Sequence, residues 1–329
     1  MNLYRLMPAA IGVVVAVSGA IVLEGQRGRG QQPPAAPAPA TVPVVPAPRM
    51  PLAPPAVRGA SVTPALEGWI KNEDGSATIL VGYMNRNQNQ IFDVPIGPNN
   101  SIEPGGPDFG QPTHFELGRN YGVFSITVPK DFGSKRLTYT ISVNNQPQTI
   151  TLGLPSGYQI SPYLRNDTGN TPPVVKLDPP GPELKGPPLG AAKTLTATVG
   201  EPLTLTLYAT DKGNTINQSD PQAAPAPVAR GARQAPIQVT WYKHRGPAGD
   251  TLKFEPNTPM VVADAEVVKM FQKPGDYTGK AVATATFSEA GEYWLRAQIN
   301  DATGNGGGGD QCCWSNVLIK VNVQAAAAR

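Results

Sequence analysis

The chain has 329 residues, of which 27 are basic and 24 acidic, so its formal net charge is only +3. No block of lysine or arginine marks a phosphate-binding stripe, which argues against nucleic acid as a partner. The 35 glycines and 37 prolines, against 16% charged residues, favour short strands and many turns. An all-β protein of two domains is therefore predicted.

The chain begins with an apolar segment. Residues Leu6–Leu23 are uncharged and mostly apolar, which is typical of an export signal. Small residues at Ser18 and Ala20 would allow cleavage after Ala20, and an uncleaved helix that anchors the protein by a single membrane span is the alternative. We assign residues 1–25 to this signal peptide or anchor. The rest is expected outside the cytoplasm, in the periplasm, on the cell surface or secreted.

Residues 26–62 form a proline-rich tether. Between Gln31 and Arg58 the chain is almost wholly Pro, Ala and Val, and each proline fixes φ and removes a hydrogen-bond donor. An extended polyproline II spacer of this length would reach up to roughly 90 Å. A plain disordered tail is the alternative. In either case the membrane is a partner only through an uncleaved N-terminal segment.

Residues 63–153 are predicted to form a first β-sandwich module. The clearest strand is Arg136–Val143, whose Leu137, Tyr139, Ile141 and Val143 alternate with polar residues and are expected to face inward. Asn144-Asn145 then predicts a tight turn into Thr149–Leu152. The remaining strands are predicted at Ala77–Met84 and Gln90–Val94, paired as a hairpin, and at Val123–Val128.

The Gly/Pro-rich loop before Val123 contains Asp108, His114 and Glu116. Carboxylate and imidazole groups are suitable metal ligands, so a metal site here is one interpretation. An ordinary solvated loop is the other.

Residues 154–193, which contain several Pro-Pro pairs, are predicted to be an interdomain linker. A second module follows over residues 194–324, with a short tail at 325–329. Its strands are predicted at Leu195–Val199, Leu203–Ala209, Ile237–Lys243, Leu252–Phe254, Met260–Val262, Ala281–Phe287, Tyr293–Asn300 and Ser315–Val323.

The second module resembles a family of domains. The run Val199–Leu205, VGEPLTL, is similar to the start of bacterial extracellular Ig-like modules of the PKD and cadherin-like kind, and Thr286–Ala297, TFSEAGEYWLRA, resembles the approach to their sixth strand. The resemblance spans about residues 195–323. It implies that Tyr293 occupies the tyrosine corner and that Trp241 is the buried tryptophan of the third strand. The fold class expected is thus two Ig-like β-sandwich modules joined by proline-rich linkers.

Strand alternation predicts an aromatic outer face on the second module. The strands predicted at Ile237–Lys243, Tyr293–Asn300 and Ser315–Val323 are neighbours in one sheet in the Ig-like order. If Trp241 faces inward, alternation places the following residues on the outer face of that sheet: Tyr242, His244, Trp294, Arg296 and Trp314. Exposed aromatic area of this kind is typical of a binding surface. The alternative is that the linker or the first module covers this face.

Three aspartates, Asp211, Asp301 and Asp310, lie on two enlarged loops that emerge at the same pole of an Ig-like sandwich. One interpretation is that they form a Ca²⁺ site. The alternative is that the loops are mobile and their charges are unrelated. Beyond this Ca²⁺ site no cofactor is predicted. The adjacent Cys312 and Cys313 admit a strained vicinal disulfide or two separate thiols on opposite faces of a strand, with an intermolecular disulfide as the third alternative.

The sequence contains none of the common catalytic motifs, and its 2 histidines fall in different predicted modules. We therefore expect a non-catalytic binding or scaffolding protein of the bacterial cell envelope, not an enzyme. Its sandwich loops and sheet faces would contact an envelope polymer, a carbohydrate or a protein. The alternatives are a hydrolytic enzyme or its accessory subunit, and a purely structural spacer.

Overall fold

β-Strands make up most of the computed structural model, which describes residues 55–160, 171–212, 237–272, 276–301 and 314–327. Apart from one 3-10 turn and one short α-helix, the regular structure of these residues is strand, so the all-β prediction is confirmed. None of the helices in this part of the chain is long and apolar enough to cross a membrane. The predicted N-terminal signal or anchor helix and most of the tether lie outside the described residues.

The first module contains two three-stranded sheets, in the orders β1-β2-β6 and β4-β7-β8, and the small pair β3-β5. All pairings are antiparallel. Apolar side chains from both larger sheets form one core. The strands are β1 (Val62–Lys71), β2 (Ala77–Asn85), β3 (Phe92–Asp93), β4 (Asn100–Glu103), β5 (His114–Phe115), β6 (Gly118–Val128), β7 (Leu137–Val143) and β8 (Gln146–Leu152).

The β7-β8 hairpin follows the sequence pattern closely. The predicted inward set of Leu137, Tyr139, Ile141 and Val143 is buried, as the alternation requires. Asn144 and Asn145 have φ values of 52° and 55°, the left-handed conformation that a tight two-residue hairpin turn needs. This part of the prediction is confirmed.

The hairpin predicted between Ala77–Met84 and Gln90–Val94 is wrong. Strand β2 pairs with β1 and β6, whereas Phe92 and Asp93 pair with β5. The Asn85 side chain explains the departure, because its Nδ2 donates to the Gln90 carbonyl (2.9 Å) and to the Phe115 carbonyl (3.2 Å). These bonds turn the chain away from β2 and place Asp93 beside His114.

The second module has two sheets around a second core, in the orders β9-β11-β15-β13 and β10-β17-β16-β12, with β14 also paired to β15. Strand β10 runs parallel to β17, and the other pairings are antiparallel. The strands are β9 (Val174–Lys176), β10 (Ala191–Thr198), β11 (Leu203–Asp211), β12 (Ile237–Arg245), β13 (Leu252–Glu255), β14 (Val262–Ala263), β15 (Tyr277–Phe287), β16 (Gly291–Asp301) and β17 (Trp314–Gln324).

The alternation predicted for β12, β16 and β17 is confirmed, and these strands are neighbours in one sheet. The inward residues that join the core are Val239, Trp241, Tyr293, Leu295, Ala297, Ile299, Val317, Ile319, Val321 and Val323. At the start of β16 the Tyr293 hydroxyl donates to the Glu289 carbonyl at 2.9 Å.

Two elements of the second module were not predicted. A short helix, α1 (Ala265–Phe271), is capped by Asp264, whose carboxylate accepts from the Glu266 amide at 3.0 Å. Strand β9 lies inside the segment predicted to be a linker and pairs with β11. Its Val175 exchanges two 2.8 Å backbone hydrogen bonds with Leu184, so the chain folds back on itself between its prolines.

Both modules belong to one compact unit, Leu52–Arg329. The segment between them is fixed to both. Ser125 Oγ of β6 donates to the Pro188 carbonyl (2.6 Å), and Ser315 Oγ of β17 donates to the Pro173 carbonyl (2.6 Å). These contacts anchor the proline-rich segment at two points.

Candidate functional site

The predicted outer face of β12, β16 and β17 exists, and the first module covers it. Tyr242 lies opposite Arg296 in the register of β12 and β16. His244, Arg296 and Trp314 are only 1%, 2% and 0% exposed, and Tyr242 and Trp294 are half-buried. Of the two alternatives that the sequence left open, the structure places His244, Arg296 and Trp314 in a junction between the modules, whereas Trp294 stacks on His244 of its own module.

The Arg296 guanidinium lies at the centre of this junction. Its Nη2 donates to Asn120 Oδ1 of β6 at 2.7 Å, and its Cζ lies 4.2 Å from the centre of the Tyr242 ring. Burial lowers the pKa of Arg296 below its ordinary value, and the opposing effect of nearby groups, among them Glu116 and Glu67, is smaller. A buried guanidinium needs this set of acceptors and an aromatic face, because an uncompensated buried charge is strongly destabilising.

Trp314 packs against a glycine of the first module. Gly122, on β6, has a φ of 50°, and a Cβ built on it would lie 1.8 Å from the Trp314 ring. Beside it, Asn316 Nδ2 donates to the carbonyls of Tyr121 (3.0 Å) and Gly122 (2.9 Å). Only a residue without a side chain can bring the β6 backbone this close to the indole.

A second group of contacts joins the loop after β4 to the end of β12. Arg245 donates to both carboxylate oxygens of Asp108 (2.6 and 3.0 Å) and to the Gln111 carbonyl (2.8 Å). The hydrogen bonds from Arg245 lower the pKa of Asp108. The adjacent His244 is a neutral ring, because burial lowers its pKa to about 3, and its Nε2 donates to the Gly110 carbonyl at 2.9 Å.

The junction opens at one side into a cleft of about 630 Å³, here called the junction cleft. Both modules contribute to it. Its lining consists of Asn89, Ile91, Asp93, His114, Glu116 and Leu117 from the first module and Trp241, Lys243, Gly249, Asp250, Leu252, Lys253, Phe254 and Asn257 from the second.

Asp93 connects the two sides of the junction cleft. Its Oδ1 accepts from His114 Nδ1 at 2.7 Å and lies 3.4 Å from Lys243 Nζ, while its Oδ2 accepts from the Gly249 amide at 2.7 Å. The Lys243 ammonium also donates to the carbonyls of Pro247 and Gly249. Burial would raise the pKa of Asp93, but the hydrogen bonds from His114 and Gly249 outweigh it and lower the pKa.

His114 lies between two carboxylates. Its Nε2 is 3.4 Å from Glu116 Oε1, on the side of the ring opposite Asp93. Burial lowers the pKa of His114, but the hydrogen bonds to Asp93 and Glu116 outweigh burial and leave the pKa above its ordinary value of 6.5. The two carboxylates therefore stabilise the imidazolium form relative to the neutral ring.

The walls of the junction cleft combine apolar and polar groups. Ile91 and Leu117 are 46% and 39% exposed, and the half-buried Phe254 stacks on Trp241 with ring centres 5.9 Å apart. Asn89, Asp250 and Asn257 are exposed around them. Such a mixture of apolar faces and a few polar groups is typical of ligand sites.

Only part of the predicted Ca²⁺ site falls within the described residues. Asp211 and Asp301 are buried at the ends of β11 and β16, whereas Asp310 and both cysteines, Cys312 and Cys313, lie outside the described residues. Within the described ranges, no group of three His, Cys, Asp or Glu side chains is arranged to hold a metal ion.

The loop trio of Asp108, His114 and Glu116 is divided between two roles. Asp108 pairs with Arg245, while His114 and Glu116 join Asp93 in the junction cleft. Sequence reasoning missed Asp93 and Lys243. The signal for Lys243 was its inward position in the alternation of β12, where an apolar residue is expected.

No protein-family model matches the chain, and no curated protein matches it. Among solved structures, the chain is similar to PbICP-C from its complex with falcipain-2 (12% identity, 43% of this chain and 99% of that chain, TM-score 0.23). It is also similar to the D00-D0 domain of intimin (13%, 79% and 99%, TM-score 0.21) and to the CupB6 tip adhesin from Pseudomonas aeruginosa (9%, 80% and 98%, TM-score 0.23). Scores this low support no assignment of family or function.

Proposed function

We propose that this chain is a non-catalytic binding protein of the extracytoplasmic envelope, and that the junction cleft binds a neutral, hydroxyl-rich polysaccharide. The observation that carries the proposal is a cleft shared by two modules that are joined by the buried Arg296–Asn120 hydrogen bond and by the partly exposed Arg245–Asp108 pair. Sites between rigidly joined domains are common places for ligands. The extracytoplasmic location rests on the apolar segment Leu6–Leu23.

The lining of the junction cleft suits sugars better than anions. Ile91, Leu117 and Phe254 offer apolar faces for the C–H surfaces of a sugar ring. The amides of Asn89 and Asn257 can both donate to and accept from hydroxyl groups. An anionic polymer would be repelled by the carboxylates of the cleft. The two lysines of the cleft already have partners, because Lys243 contacts Asp93 and two carbonyls and Lys253 pairs with Glu255.

We further propose that the second module is an Ig-like sandwich. The sheet order β9-β11-β15-β13 corresponds to the A-B-E-D sheet of Ig domains, and β12, β16 and β17 correspond to strands C, F and G. The Tyr293 hydroxyl bonded to the Glu289 carbonyl has the geometry of the tyrosine corner. The first module is a two-sheet sandwich with its own strand order.

Affinity electrophoresis in gels that contain a polysaccharide tests the proposed binding. We expect the protein to be retarded by at least one of the neutral polymers dextran, galactan and mannan, and not by the anionic alginate. The double variant Ile91→Ala, Leu117→Ala should bind about tenfold more weakly, because it removes apolar contact area in the cleft.

Val282→Ala is the matched control, since Val282 is a 45% exposed apolar residue on β15 that does not line the cleft. Equal retardation of the double variant and the wild type would contradict the cleft as the site. Absence of retardation by every polymer would favour the structural spacer. Release of reducing sugar from a bound polymer would contradict the non-catalytic assignment.

A further inference from the structure

His114 lies between two carboxylates at the edge of the junction cleft. Two carboxylates, Asp93 on β3 and Glu116 after β5, face the two ring nitrogens, and Lys243 of β12 approaches Asp93 from the second module. On the other side of Glu116, the buried Arg296 of β16 and Tyr83 of β2 also act on it, and the Tyr83 hydroxyl accepts from the Glu116 amide at 2.9 Å. The remaining charged groups of the cleft lining are Asp250 and Lys253, and Lys253 pairs with Glu255 on its own strand.

Each ring nitrogen of His114 faces an acceptor. An imidazolium donates from Nδ1 to Asp93 and at the same time attracts the Glu116 carboxylate by its charge, through the ion pair at Nε2. A neutral ring has only one N–H. We expect the proton to stay on Nδ1, because its contact with Asp93 (2.7 Å) is shorter than the contact of Nε2 with Glu116 (3.4 Å). The Glu116 carboxylate then has no imidazolium charge beside it, and its ion pair with Nε2 is lost.

We infer that His114 is a pH-responsive bridge in the junction cleft, which holds Asp93 and Glu116 together as an imidazolium and releases Glu116 as a neutral ring. Glu116 lines the cleft next to Leu117, so its release changes the wall that a ligand contacts. Asp93 keeps its bonds to Gly249 and Lys243 in both forms, and the modules stay joined. The device therefore adjusts the cleft without separating the modules.

A histidine NMR titration tests this inference on the intact chain. The protein has 2 histidines, and the buried His244, whose pKa lies at about 3, serves as a silent reference through the neutral range. We expect the His114 signal to titrate with a midpoint above 6.5. In Glu116→Gln, which removes one of the two acceptor charges, the midpoint should fall by about half a unit or more.

Glu73→Gln is the control, because Glu73 is an exposed carboxylate of the turn after β1 and should leave the midpoint unchanged. A wild-type midpoint at or below 6.5, or a midpoint that Glu116→Gln does not move, would overturn the inference. Both readouts are independent of any ligand.

Polysaccharide binding gives a separate readout that rests on the proposed function. The affinity for a retarding neutral polymer should differ between about pH 5.5 and about pH 8 in the wild type, and this difference should be smaller in Glu116→Gln. Equal pH dependence in both proteins would contradict the role of the bridge in the cleft. Failure to bind any polymer at either pH would count against the proposed function, while the titration would still decide the inference.

Discussion

Gly122 shows how a single residue determines the docking of the two modules. Its φ of 50° lies in the left-handed region, and the Trp314 ring occupies the space that a side chain would need. Gly118, also on β6, has a φ of 73°, but a Cβ at that position would meet nothing within 4 Å. Comparing alanine substitutions at the two glycines therefore distinguishes the cost of backbone strain, which both share, from the cost of a steric clash, which only Gly122 has.

Gly122→Ala should lower the free energy of unfolding by about 3 kcal/mol, since it adds overpacking against Trp314 to the left-handed strain. Gly118→Ala should lower it by about 1 kcal/mol, because it carries the backbone term alone. Urea denaturation followed by tryptophan fluorescence measures both. Equal losses in the two variants would show that Trp314 does not pack on Gly122.

At the scale of elements, alternation and turn chemistry were readable from the sequence. The inward sets of β7, β12, β16 and β17 and the Asn144-Asn145 turn are as predicted, because burial of one sheet face imposes a period of two. The pairing of β3 with β5 was not readable. It depends on the side-chain bonds of Asn85, which have no local sequence pattern.

The candidate site could be predicted only in part, because it too depends on contacts between segments that have no local sequence pattern. The sequence grouped Tyr242, His244, Trp294, Arg296 and Trp314 on one face, and the structure brings them together. Which surface covers them depends on how the modules dock. Strand alternation carries no information about docking, so the contacts that Asp93 makes across the junction cleft could not be predicted.

The loop between β4 and β5 contributes a contact that depends on pH. The pKa of Asp108 is lowered below its ordinary value of 3.8 in the folded protein by the hydrogen bonds from Arg245. Its stabilisation is therefore complete above pH 3.8 and is lost as the pH falls through the lowered folded value.

Asp108→Asn should reduce stability at neutral pH by less than about 1 kcal/mol, because Asp108 is half exposed and solvent screens the pair. The difference from wild type should shrink as the pH falls below 3.8. Urea denaturation at a series of acidic pH values measures this. Asp131→Asn, at an exposed loop carboxylate, is the control. A difference that grows on acidification would contradict the assignment.

At the scale of the whole molecule, the contacts across the junction join the two modules into one body. The buried Arg296, the Asp108–Arg245 pair and Asp93 all connect the first module to the second. The segment between the modules adds strand β9 and the contacts of Pro173 and Pro188. If one module unfolds, the other loses these polar partners, and the contact between Gly122 and the Trp314 ring is lost as well. Unfolding of one module should therefore destabilise the other.

Differential scanning calorimetry of the full chain tests this coupling most directly. We expect a single transition whose calorimetric enthalpy equals the van't Hoff enthalpy, as for one cooperative unit. Two resolved transitions, or a calorimetric enthalpy about twice the van't Hoff value, would contradict a rigidly joined pair of modules and the fixed cleft between them.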